Sequence, residues 1–173
     1  MPNAFEKTAS KVMGAAKAAK ATLENLSGVF QQLEREHGEV TALLLVVKAT
    51  SDPAKRKELF PRIRAELLSH EKGELAEVYP AFREHANLAN YAEIHEREAR
   101  TLERTIEKLM AINYDDPNWG ATFAELVNAV SHHVKEEEGD FFPAANRELG
   151  KDTAERLKER YLTTKAAVME GIE

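Results

Sequence analysis

Apolar residues recur along this chain at intervals of three and four, with little strict alternation. That is the period of helices that bury one face. The first stretch runs Leu33, Val40, Leu44 and Val47, with His37 filling the missing step on the same face. A break follows at Ala49-Thr50-Ser51-Asp52-Pro53, where Asp52 can cap and Pro53 can take the first helical turn. A second helix should carry Ile63, Leu67, His70, Glu74 and Val78, and a third Tyr91, His95, Leu102, Ile106 and Leu109. Asp116 before Pro117 marks the start of a fourth, carrying Phe123, Leu126, Val130, His133, Glu137 and Phe141. The expected fold is all-α, an up-down four-helix bundle over residues 29–148. Two more amphipathic segments flank it, one in 1–28 (Phe5, Val12, Met13, Ala16, Leu23, Leu26) and one in 149–173 (Leu157, Tyr161, Leu162, Val168). Both are expected to pack on the bundle. Pro61, Pro80 and Pro143 should each end or kink a helix.

Composition narrows the chemistry. At 173 residues, 43% hydrophobic and 31% charged, the chain fits one soluble globular domain. Its net charge of −6 argues against a nucleic-acid partner. It has no cysteine, so any metal must be held by imidazole and carboxylate. No apolar run approaches a membrane span and no leader pattern is visible, so a cytoplasmic location without membrane partners is expected.

Six histidines are present, at 37, 70, 85, 95, 132 and 133. Four of them, His37, His70, His95 and His133, fall one per helix on the predicted inward faces. A buried polar group without a partner costs on the order of 1–3 kcal/mol, so four in one bundle call for a shared partner, and a metal is such a partner. Two carboxylates sharpen this. Glu74 follows His70 by four residues and Glu137 follows His133 by four, so each pair lies on one helical face. The pattern is duplicated: each His-x-x-x-Glu leads to an aromatic-proline step, Tyr79-Pro80 and Phe142-Pro143, with the proline ten residues after the histidine. Two such hairpins facing each other would present two equivalent half-sites. Nitrogen and oxygen donors without thiolate suit iron, manganese or zinc. Six ligands for two ions leave open positions, which fits a redox-active iron pair better than a closed structural zinc. A ferritin-like site would need two Glu-x-x-His pairs, and only Glu34/His37 has that spacing. His70-Glu71 is not continued into a zincin motif. His85 and His132 are expected at the surface, Glu71, Glu136 and Glu138 in solvent or behind the ligands, and Tyr79, Tyr91 and Trp119 in packing. Leu44, Leu67, Leu102 and Val130 could line a dry pocket.

On these residues, from about Leu33 to Pro143, the chain resembles the hemerythrin-like HHE cation-binding family. The resemblance implies a non-haem pair of iron ions, oxo- or hydroxo-bridged, held by His37, His70, Glu74, His95, His133 and Glu137. It also implies dioxygen, peroxide or nitric oxide as the small ligand, in sensing, in protection against oxidative or nitrosative stress, or in iron handling. Oxygen-carrying members place a second histidine four residues after the one on the third helix, where this chain has Ala99. They also place the fourth-helix acid five residues after its histidine, where this chain offers Glu138 beside Glu137. The missing histidine disfavours reversible carriage. The alternatives are an oxidase- or peroxidase-type iron enzyme and a metal-independent helical interaction module.

Overall fold

The structure, a computed structural model, describes residues 4–172, with side chains from residue 8 onward. Among these residues it is helical throughout, without strands. The elements are α1 (Ala4–Leu23), α2 (Gly28–Lys48), α3 (Pro53–Gly73), α4 (Tyr79–Arg83), α5 (Ala89–Met110), α6 (Pro117–Glu136), α7 (Phe142–Leu149) and α8 (Lys151–Ile172). Two five-residue π-helical turns, Glu74–Val78 and Glu137–Phe141, join α3 to α4 and α6 to α7. No helix of the described residues is long and apolar enough to cross a membrane.

The expected caps are in place. Asp52 accepts a hydrogen bond from the Ala54 amide at 2.9 Å, and Asp116 accepts one from Asn118 at 2.7 Å. Each carboxylate satisfies an amide that the first turn leaves unpaired. Pro61 sits inside α3 without ending it. Pro80 and Pro143 act differently, each just after a π-helical turn. A proline ring crowds the carbonyl four residues back and offers no N–H. Here the turn widens, so that Tyr79 donates to the Glu74 carbonyl and Phe142 to the Glu137 carbonyl, one residue before each proline. The repeated aromatic-proline step thus fixes a wide turn at each of the two repeated glutamates, and such turns are frequent at functional sites.

Two apolar cores lie at opposite ends of the bundle. One gathers Phe30, Leu33, Tyr79, Phe82, Phe142 and Tyr161. The other gathers Leu43, Val47, Phe60, Ile63, Trp119 and Phe123. Trp119 is fully buried, stacked on Phe123 at 4.9 Å between ring centres and edge-on to Phe60 at 5.6 Å. The inward positions read from the sequence on α2, α3, α5 and α6 are buried, except Tyr91, which is partly buried against the first core.

The flanking helices pack on α2 and α3, α1 through another face than expected and α8 partly through the expected one. On α1, Val12 is 61% and Leu23 is 84% exposed, while Ser10, Gly14 and Ala21 are buried. Ala16 is exposed too, and the Phe5 side chain lies outside the described residues. Small residues win because α1 approaches α2 too closely for larger ones, with Gly14 against Glu39 and Gly38 against the Met13 backbone. On α8, Leu157 and Tyr161 are buried, but Leu162 is 39% exposed. The link between α1 and α2 is tied to α7 by Asn146, which accepts from the Ser27 amide and hydroxyl and donates to the Asn25 carbonyl.

Trp119→Ala should destabilise the metal-free protein by about 3–5 kcal/mol through the cavity it leaves. Urea unfolding followed by circular dichroism checks this, and a loss below about 1 kcal/mol would contradict the packing described.

Candidate metal centre

Between the two cores lies a layer of buried ionisable side chains. His37 comes from α2, His70 and Glu71 from α3, His95 from α5 and His133 from α6. Glu74 and Glu137 open the two π-helical turns. All seven are buried, with Glu74, His95 and Glu137 at zero exposure. Their donor atoms converge as two sets. Glu71, Glu74, His95 and His133 form one and His37, His70 and Glu137 the other, with the donor atoms of each set within 4.8 Å of one another.

The two glutamates stand between the sets. Glu137 Oε2 is 3.2 Å from His37 Nε2 and 3.3 Å from His133 Nε2. Glu74 Oε2 is 3.3 Å from His70 Nε2 and 3.8 Å from His95 Nε2. The structure therefore brings together all six residues singled out from the sequence, each carboxylate lying between histidines of different sets. It also corrects the reading of Glu71. That side chain is neither in solvent nor behind the ligands: Oε1 is 3.2 Å from His133 Nε2 and Oε2 is 3.5 Å from His95 Nε2. Ala99, one turn after His95, offers no ligand atom, and Glu71 brings a carboxylate to these two histidines instead. The sequence does hold the signal, since Glu71 directly follows His70, but its meeting with His95 and His133 depends on how α5 and α6 pack against α3.

The outer imidazole nitrogens are held by carboxylates. His37 Nδ1 faces Glu138 at 3.1 Å, His70 Nδ1 faces Glu36 at 2.9 Å and His133 Nδ1 faces Glu98 at 2.9 Å. Donation from Nδ1–H leaves Nε2 as a lone-pair donor pointing into the layer, the arrangement that orients metal-ligating histidines. His95 is held otherwise, stacked on Tyr79 at 3.7 Å between ring centres. The Tyr79 hydroxyl donates to Glu137 Oε1 at 2.5 Å, so Tyr79 does more than pack. Burial, and then the Glu137 charge, hold its phenol well above its usual range and so protonated. His132, at 65% side-chain exposure, and His85 stay at the surface as expected.

The inward atoms lack partners of their own. His37, His70, His95 and His133 Nε2, both Glu74 oxygens, Glu71 Oε2 and Glu137 Oε2 are buried and make no hydrogen bond. Burial and then the neighbouring Glu137 and Glu71 charges push the Glu74 carboxyl well above its ordinary range. Burial also opposes the Glu137 charge, but His133, His37 and His95 hold it well below. Burial favours neutral His133, yet Glu137 and Glu71 raise it well above an ordinary imidazole. Crowded carboxylates sharing protons with crowded imidazoles are what a cation cluster would relieve, and the donor set fits one of iron type.

A cavity of about 20 Å³ adjoins the layer, lined by His37, His70, Glu71, His133, Leu67 and Val130 among others. That is room for about one water-sized molecule. Leu44 and Leu102, expected along it, do not line it; Leu43 and Val40 do.

The model of the hemerythrin HHE cation binding domain matches residues 28–145. The chain belongs to this family. A protein of Nostoc sp. strain PCC 7120, named a DNA nickase, is 23% identical over 140 residues, covering 81% of this chain and 40% of that protein. This chain thus spans well under half of that relative's length. No solved structure matches it. The family match leaves out all of α1 and all of α8.

Glu138 gives the site an acid-sensitive anchor. Burial works against its charge, but His37 and Lys17 lower its pKa from 4.5 to about 2. A carboxylate depressed in the folded state stabilises above its unfolded pKa, and that stability is lost as pH falls through the folded one. In metal-free protein, wild type should therefore melt above Glu138→Gln near pH 5, with the gap closing between pH 4.5 and about 2. A gap that stays constant over that window would contradict the assignment.

Proposed function

We propose that this HHE domain binds two iron ions through His37, His70, Glu74, His95, His133 and Glu137, with Glu71 as a seventh ligand. The pair would meet dioxygen, peroxide or nitric oxide in sensing, in protection against oxidative or nitrosative stress, or in iron handling. The observation that carries this reading is the convergence of buried nitrogen and oxygen atoms from seven side chains, most without a hydrogen bond. Bound iron would supply one-electron redox chemistry and open positions for a small ligand.

The chain's own residues define what that ligand meets. Glu74 and Glu137 each stand between histidines of the two sets, so each would hold metal together with either set. Tyr79 fixes one oxygen of Glu137. Leu43, Leu67 and Val130 keep the adjoining cavity apolar on one side, which suits a small uncharged ligand such as a diatomic. Glu71 changes the balance further. An anionic carboxylate favours the more highly charged ferric ion over the ferrous one, which speaks for sensing or protection over reversible carriage. The Nostoc relative is named for acting on DNA, whereas the net charge of −6 gives this chain no overall attraction to a polyanion.

The test is anaerobic loading with ferrous iron, metal analysis, and optical spectra before and after admitting air. About two irons per chain with new near-ultraviolet charge-transfer bands is the expected result, and bands that persist after oxygen is removed would favour sensing or protection over carriage. His37→Ala, Glu74→Ala and Glu71→Ala should each weaken iron retention by at least the ~10–100-fold typical of losing an outer hydrogen bond. His85→Ala and His132→Ala should leave it unchanged. Iron should also raise the melting temperature, since it binds only the folded chain. Identical melting with and without metal would favour the metal-independent module, and sustained turnover with a reductant would favour the enzyme.

A further inference from the structure

Two glycines neighbour the proposed ligands, and at each a helix lying wholly outside the family match comes in. Gly38 directly follows His37. A Cβ there would lie 2.5 Å from the Met13 carbonyl oxygen and 2.9 Å from Gly14 Cα, both on α1. Gly73 lies between His70 and Glu74, where a Cβ would lie 2.7 Å from the Tyr161 ring on α8. Contacts below 3.0 Å are not tolerated without movement, so glycine at 38 and 73 is what lets these helices sit so near the site.

What the helices deliver is polar. From α1, Lys17 pairs with Glu138 Oε2, and Lys20 stands 3.4 Å from the same oxygen. The other oxygen of Glu138 faces His37 Nδ1. From α8, the Tyr161 hydroxyl donates to Glu36 Oε2 at 2.5 Å, and Lys165 Nζ donates to it at 2.6 Å. Glu36 Oε2 also faces His70 Nδ1. The Glu36 and Lys165 side chains are only 10% and 12% exposed, so solvent screens this pair weakly. The two arms are alike: imidazole, carboxylate, then a cation from a flanking helix. They serve only His37 and His70, the two histidines grouped with Glu137. The Glu98 behind His133 has the exposed His132 beside it, with no lysine paired to it among the described residues.

We propose that Lys17, Tyr161 and Lys165 are positioning residues through which α1 and α8 set the electron donation of His37 and His70 to the metal. The proposal rests on the two-iron reading. A carboxylate that accepts the Nδ1 proton raises the basicity of the imidazole, which favours ferric over ferrous iron. A lysine or phenol bonded to the same carboxylate withdraws that density and moderates the effect. Removing the carboxylate and removing its cation should therefore shift the ferric/ferrous balance in opposite directions. A merely structural role would shift stability in one direction for both.

The experiment is a mediator-coupled redox titration of the full-length, iron-loaded chain, with iron content and melting temperature measured in parallel. Relative to wild type, Tyr161→Phe, Lys165→Met and Lys17→Met should lower the midpoint potential, and Lys165→Arg should hold it near wild type. Glu36→Gln and Glu138→Gln should raise it, with iron affinity falling about 10–100-fold. Tyr161→Phe keeps the ring against Gly73 and serves if Lys165→Met leaves Glu36 too poorly compensated to fold. Unchanged potentials at two irons per chain would overturn the proposal and leave the iron reading standing, as would shifts of one sign throughout that track melting temperature. A wild-type chain that retains no redox-active metal would instead remove the iron reading itself.

Discussion

Three carboxylates and four imidazoles packed together out of water are the constraint around which this fold is organised. Desolvating a carboxylate costs several kcal/mol even after the protein relaxes, and Glu71, Glu74 and Glu137 are all buried among histidines. Burial and neighbouring carboxylates push the Glu74 carboxyl up, while the histidines around Glu137 hold it down. Two apolar cores, one at each end, hold the layer in place. The bundle bears a locally unfavourable arrangement that binding of positive charge would turn into a favourable one, which is how metal affinity becomes coupled to folding.

The site is a consequence of backbone as much as of side chains. Glu74 and Glu137 each open a π-helical turn whose amide one residue before a proline closes on the glutamate carbonyl. The widened turn changes where the following aromatic side chain lands. Tyr79 after the first turn reaches across to Glu137, belonging to the second, and stacks on His95. Phe142 after the second stacks on His37 at 5.8 Å between ring centres. The duplicated motif therefore produces duplicated geometry, with a hydroxyl in one half that the other lacks.

Asymmetry also enters from Glu71, inside the family-matched span, and from the two flanking helices outside it. Glu71 adds an anionic donor to the His95 and His133 side, while α1 and α8 bring lysines and a tyrosine behind His37 and His70. The two sides thus differ in charge and in the hydrogen-bond partners behind their histidines. Flanking helices expected only to pack reach the carboxylates behind the site, because Gly38 and Gly73 leave room for them.

Periodicity by itself determined the helices, their caps at Asp52 and Asp116, and the inward faces that carry His37, His70, Glu74, His95, His133 and Glu137. These are local properties: a helical repeat places a side chain on a face wherever the helix ends up. The tertiary structure decided what local rules cannot reach. Glu71 belongs to the site because α5 and α6 bring His95 and His133 to it, a contact between residues far apart in the chain. Glu36, Glu98 and Glu138 were selected from many acids by which imidazole each meets. The face of α1 was misread because a search for large apolar residues misses a close helix–helix approach, where Ser10, Gly14 and Ala21 are buried and Val12 and Leu23 are turned out to solvent.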